Sequence, residues 1–231
     1  MRTRNVVAVA VGLSCMAAPL SAEPPVGSRL GERQGKDLER RERESALGAQ
    51  EMAHCLVNRE KNVVRSFLGA LNPDESDRLS HKMDGEHDCL SMSEGNDLVE
   101  GRRVTFPRDL YRGMLAEWMV KADEPTFAAL PPLPRQLTYS RPWYAVTDRD
   151  FSVDEMGTCV AETAPAPTLA LLKTSPYSPE EGVAFGALGP SLGACLRAGV
   201  KITGNRQSLR AALADALYQR IANPGSAVPA R

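Results

Sequence analysis

The chain has 231 residues, 28 Lys and Arg against 29 Asp and Glu, a formal charge of −1 and only 5% aromatic residues. That length supplies one substantial core or two small ones. Acids and bases are interleaved, as in KDLERRERES, and aromatics are too sparse for base-stacking platforms, so nucleic acid is excluded as a partner.

The first segment predicts export. Arg2 and Arg4 precede an apolar run from Val6 to Leu20 that Gly12, Ser14 and Pro19 interrupt, and LSAEPP follows. This is too short to span a bilayer and has the layout of a secretory signal peptide, residues 1–22, cut after Ala22. Cys15, preceded by GLS, offers a lipoprotein alternative, although leucine stands two places before it instead of three. Loss of Arg2 and Arg4 leaves 26 basic residues against 29 acidic ones, a formal charge of about −3. No later run reaches membrane-spanning length, so a periplasmic or secreted product without a transmembrane segment is expected. Residues 23–45 are too polar for a core and read as disordered or as a solvated extension of the first helix.

Four cysteines remain: Cys55, Cys89, Cys159 and Cys195. In an exported chain an even number implies disulfides, and no C-x-x-C spacing points to zinc or redox chemistry. Three pairings are open at this level.

An internal repeat chooses between them. GRRVT at Gly101 aligns with GVKIT at Gly199, and the same offset of 98 places YRGMLAE on LRAALAD, so that Arg112 meets Arg210 and Glu117 meets Asp215. Upstream, an offset of 106 lays NPDE at Asn72 on SPEE at Ser178 and Cys89 on Cys195, and an offset of 104 pairs Cys55 with Cys159. NPDE and SPEE are helix starts: a capping side chain, proline in the first turn, and acids at the positive end of the dipole. Each copy therefore reads as three helices, roughly 46–71, 73–90 and 108–121 in the first and 167–174, 179–196 and 207–222 in the second. The fold class is all-α: repeat one over 46–122, a Pro-rich irregular connector over 123–156, repeat two over 157–222 and a flexible tail over 223–231. In each copy one cysteine lies near the start of the first helix and one at the end of the second. Antiparallel neighbours bring those ends together, which predicts Cys55–Cys89 and Cys159–Cys195.

The last helix of each copy carries an apolar stripe: Tyr111, Met114, Leu115 and Trp118 in one, Leu209, Leu213, Leu217 and Ile221 in the other. Arg112 and Arg210 sit beside these stripes and are expected to be structural, bonding carbonyls at a helix end or an acid of the same unit. In the connector, Phe127, Leu130, Leu133, Trp143, Tyr144 and Phe151 are candidates to pack across the copies.

Candidate chemistry is thin. His81, Asp84 and Asp88 share one helical face and could ligate a metal, but the second copy has Ala187, Pro190 and Ala194 there, so a solvated face is the plainer reading. His54 could activate the Cys55 thiolate only if that cysteine were free. GALGPSLG at Gly186 matches neither phosphate-loop pattern and reads as close helix packing with a bend at Pro190. No catalytic residue and no cofactor is predicted.

CLVNREKNVVRSFL, the cap SPEE, GACL and SLRAALADALYQR together resemble a group of exported Gram-negative proteins carrying a cysteine-bracketed helical unit in tandem, a likeness covering roughly Ala46 to Ala222 outside much of the connector. That resemblance implies the tandem helical architecture and supplies no activity. The expectation is a non-catalytic periplasmic binding or scaffold protein with an unknown envelope protein or ligand as partner. Metal binding or metal-dependent hydrolysis at His81, Asp84 and Asp88 is the alternative.

Overall fold

Proline and short capping side chains set where many of the helices begin. A computed structural model describes residues 26–83, 89, 107–201 and 205–224, with side chains from residue 37 onward. The expected signal segment, residues 1–22, with Cys15, Asp84, Asp88 and most of the tail, lies outside the described residues. Among the described residues every regular element is helical. Helix α1 is Val26–Arg59, α2 Lys61–Gly69, α3 Pro73–Met83, α4 Arg108–Ala122 and α5 Glu124–Ala128. A 3-10 helix, Pro142–Val146, precedes α6 (Phe151–Thr163), α7 (Pro165–Leu172), α8 (Pro179–Cys195) and α9 (Arg206–Ala222). The chain divides by its contacts after Glu39, and residues 40–231 form the second unit, which holds both copies. No described helix is long and apolar enough to cross a membrane.

Two of the caps are the predicted ones, Asn72 and Ser178. Asn72 Oδ1 accepts from the Asp74 amide at 2.8 Å, and the Ser178 hydroxyl accepts from the Glu181 amide at 3.1 Å. Asn205 caps α9 through Ser208 at 2.8 Å, and Asp150 caps α6 through Ser152. Each satisfies an amide that has no intrahelical acceptor, a contribution of about 1 kcal/mol.

Two boundaries correct the sequence reading. The expected helix over 46–71 breaks at Glu60 into α1 and α2. The second copy begins with α6, so the connector ends near Asp150, and Cys159 sits inside α6 as Cys55 sits inside α1. Each copy thus contains four helical segments where three were expected: the C-terminal part of α1 with α2, α3 and α4, then α6 to α9. The connector is also less irregular than its prolines suggested, because Pro125 and Pro142 lie in the first turns of helical segments, where a missing amide costs nothing. At the N-terminal side, the polar stretch is helical from Val26, and residues 37–45 are exposed.

Both predicted disulfides form, Cys55–Cys89 with Cα atoms 5.5 Å apart and Cys159–Cys195 at 5.7 Å. Their loops span 34 and 36 residues, so chain entropy assigns each about 4 kcal/mol. The core does not divide between the copies. Phe67, Leu68, Leu115 and Val120 of the first pack with Leu172 and Leu217 of the second, and a smaller cluster gathers Met156, Val160, Leu171, Leu188 and Leu213. The connector helps to join them: Phe127 and Trp143 are buried in the first cluster, and the Phe127 ring stacks on Tyr218 with centroids 6.4 Å apart. Phe151 and Leu133 remain largely exposed.

Helices α4 and α9 meet where Gly113 faces Ala211. A Cβ on Gly113 would lie 2.3 Å from the Ala211 Cβ, so only glycine allows this approach. These two residues occupy equivalent positions at the offset of 98, and equivalent residues facing each other is what an internal two-fold relation produces. By contrast, the glycines of GALGPSLG make no close approach among the described residues. A Cβ at Gly186, Gly189 or Gly193 would meet nothing within 4 Å, which corrects the expected role.

Candidate functional site

The buried polar residues converge on the α4–α9 crossing. Arg112 and Arg210 have 0% and 1% of their surface exposed, so their charges must be matched inside the protein. Arg112 donates from Nε to Asp215 at 2.8 Å, from Nη1 to the Phe67 carbonyl at 3.1 Å and from Nη2 to the Leu68 carbonyl at 2.5 Å. Arg210 donates from Nε and Nη2 to the two oxygens of Glu117 at 2.8 and 2.7 Å, and from Nη2 to the Leu172 carbonyl at 3.0 Å. Phe67 and Leu68 close α2, and Leu172 closes α7. Each guanidinium therefore binds orphan carbonyls at a helix end of its own copy and the carboxylate of the other copy. The carbonyl contacts follow the sequence reading; Arg210 also reaches an acid of its own copy, Glu181, at 2.9 Å, while Asp215 and Glu117 are reached across the copies. The reason is the antiparallel crossing at Gly113 and Ala211, which sets Arg112 against Asp215 and Glu117 against Arg210.

The rest of the network differs between the halves. In the first, Gln50 Nε2 donates to Glu117 at 3.2 Å and Lys121 Nζ to Glu117 at 2.6 Å. In the second, the residues equivalent to Gln50 and Lys121 are Asp154 and Gln219. Arg149 bridges the two acids, from Nε to Asp154 at 2.7 Å and from Nη2 to Asp215 at 2.5 Å, and Gln219 donates to Asp215 at 3.2 Å. Glu181 completes the set, accepting from Arg210 Nη1 at 2.9 Å. Four cations (Arg112, Lys121, Arg149, Arg210) thus face four acids (Glu117, Asp154, Glu181, Asp215), and a fifth cation, the half-exposed Arg206, stands 3.7 Å from Glu181.

Electrostatics follow that balance. Burial works against ionisation of Glu117, but the hydrogen bonds and charges of Arg210 and Lys121 outweigh it and hold the carboxyl below its ordinary range. At Asp215 burial is likewise outweighed, by Arg112 and Arg149. At Asp154 burial wins, since Arg149 is shared with Asp215, and the carboxyl is pushed up.

Two clefts open beside this network at equivalent places. The first, about 320 Å³, is lined by Ala46, Ala49, Leu110, Met114 and Ala211 together with polar and charged residues that include Arg41, Glu42, Gln50, Tyr177 and Arg210. The second, about 370 Å³, is lined by Arg149, Asp150, Val153, Ser208 and Leu209 among others. Tyr177 adopts φ 58°, an uncommon conformation for a bulky residue, with its amide donating to Glu181 at 2.9 Å. Strain of this kind persists where surrounding contacts over-determine it.

The remaining candidates fall apart from this centre. His81 is exposed on α3, while Asp84 and Asp88 lie outside the described residues; among the described residues no three metal-type ligands converge. Cys55 is in a disulfide, so His54 has no thiolate to activate; its ring stacks on Trp118 with centroids 4.1 Å apart and hydrogen-bonds Asn58 at 2.9 Å. Sequence reasoning missed Gln50, Arg149 and Glu181. Glu181 was visible as the third residue after the Ser178 cap. Arg149 had no such signal, because its counterpart in the first copy is Ser45 and the repeat conceals it. Comparison of the chain with known protein families, with characterised proteins and with solved structures finds no match.

Proposed function

We propose that this is a non-catalytic binding or scaffold protein of the bacterial envelope, exported by residues 1–22. One observation carries the reading. The buried ionisable groups at the α4–α9 crossing are committed to each other and to helix-end carbonyls, so the densest polar chemistry in the fold is spent on joining the halves. The two disulfides fit an oxidising compartment, and small exported units depend on such staples. Divergence of polar residues over a repeated core is also what a scaffold permits, since packing constrains only the core.

Crosslinking in intact cells followed by pulldown from the envelope fraction tests the reading. Recovery of one partner in stoichiometric yield is expected, and its loss on substituting surface residues supports a docking role. Turnover of a substrate by the purified protein would overturn it. Metal binding through His81, Asp84 and Asp88 is favoured by no observation above the scaffold reading, and metal analysis of the purified protein decides it.

A further inference from the structure

The connector gives its apolar residues two fates. Phe127 and Trp143 are buried and help to join the halves, whereas between them residues 131–135 are exposed throughout and Leu137 has 96% of its surface in solvent. The exposed stretch reads Pro131, Pro132, Leu133, Pro134, Arg135. Each proline ring holds φ at about −65°, and a proline pushes the residue before it into extended backbone, which confines Leu130, Pro131 and Leu133. Residues 130–136 accordingly carry no helix, strand or turn, as a polyproline II strip requires.

One side of this strip is tied to the body of the fold. The Leu133 amide donates to the Glu162 carbonyl at 2.8 Å, and the Gln136 amide to the Tyr139 hydroxyl at 3.0 Å. Arg220 Nη2 donates to the Pro131 carbonyl at 2.9 Å, and its Nη1 to the Ala161 carbonyl at 3.2 Å, so this guanidinium serves to fix the course of the strip. The other side is bare. Arg135 pairs with no acid among the described residues, and Leu137 adds nothing to either core cluster. Nothing in the repeat calls for this presentation, since the connector belongs to neither copy.

We propose that residues 131–137 are a docking strip for a partner protein whose groove is lined by aromatic rings and flanked by carboxylates. Aromatic grooves take polyproline II segments because a strip already held in shape has little conformational entropy left to lose. The prolines and Leu133 would lie on the rings, Leu137 would supply an apolar anchor that the fold leaves unused, and Arg135 complements the acid flank. The proposal rests on the binding reading and names its contact surface.

An SH3 domain selected for P-x-x-P-R sequences has such a groove and serves as the probe. Titration into the oxidised, isotope-labelled chain should give saturable NMR shifts confined to the strip, at Leu133, Arg135, Gln136 and Leu137. Pro131→Ala combined with Pro134→Ala, and separately Arg135→Glu, should each weaken binding about tenfold or more, the order of one interface anchor, with near-ultraviolet dichroism unchanged. Val183→Asp, at an exposed apolar residue of α8, should leave binding as it was. In the envelope pulldown, the double alanine variant should lose the partner that the natural chain recovers. Retention of that partner by the variant would overturn the strip and leave the binding reading standing, whereas absence of any partner with the natural chain would overturn both. The strip also falls if about 1 mM SH3 domain gives no saturable shift, or if the double variant binds it equally. Cosedimentation of the natural chain with phosphatidylglycerol vesicles, abolished in the double variant, would assign the strip to a lipid surface and overturn the proposal too.

Discussion

The two halves of the molecule solve one problem with different residues. Both bury an arginine against the opposite half's acid and the end of their own second helix. In the first half the acid is Glu117, backed by Gln50 and Lys121; in the second it is Asp215, backed by Arg149, Asp154 and Gln219. The lesson is that the crossing keeps its geometry in both halves, while the identity of the group that balances each acid is free to change. A cation lost from one equivalent position is made up from another.

Removing an arginine separates the halves most sharply. Arg210→Ala would take a cation from two buried acids, Glu117 and Glu181, leaving Glu181 with the half-exposed Arg206 at 3.7 Å, and should cost about 3–5 kcal/mol in a urea denaturation experiment. Arg112→Ala leaves Asp215 with Arg149, and should cost less, about 2–3 kcal/mol. Equal costs would show that Arg149 does not share the load.

The crossing itself comes next. Gly113→Ala places a methyl group on Ala211 and should destabilise by about 1–3 kcal/mol, measured by thermal or urea unfolding. Adding Ala211→Gly should recover most of that loss, since the swap exchanges equivalent positions across the crossing. Failure to recover would mean that the two sides are not interchangeable there.

Acid gives the smallest effect until the pH is low. Glu117 and Asp215 titrate below their unfolded values, so the folded state holds fewer protons than the unfolded one in the intervening range. Their contribution is complete above the ordinary carboxylate values near pH 4 and is lost as pH falls through the folded values. Asp154 has the opposite sign: its raised pKa makes the folded state gain protons first, which offsets part of that loss. Stability should therefore be flat from about pH 7 to 5 in this respect and fall below about pH 4. Removing Glu117 as Glu117→Gln should soften the fall more than it alters the neutral plateau's slope, as followed by denaturation at each pH.

Much of this was legible in the sequence because the repeat translates spacing into contact. The two disulfides, the caps at Asn72 and Ser178, and the structural task of both arginines all follow from aligned positions. What the repeat could not show is anything present once. Arg149 has Ser45 as its counterpart, and its acids lie 5 and 66 residues away, a distance no periodicity bridges. The break at Glu60 was hidden because Lys61–Gly69 continues an acceptable helical pattern. The start of α6 was missed for another reason: the prolines of the connector outweighed the cap at Asp150, although proline within a first turn does not oppose a helix. Both clefts needed the fold, because their walls come from distant helices.

The exchange of acids across the crossing also governs how the protein comes apart. If the second half opened alone, Arg112 would face its own helix end without Asp215; if the first opened alone, Arg210 would keep Glu181 but lose both bonds to Glu117. Partial melting is penalised from both directions, so the halves are bound to lose their order together. Tryptophan fluorescence from Trp118 in the first half and Trp143 in the connector, near-ultraviolet dichroism and calorimetry should then trace a single coincident transition.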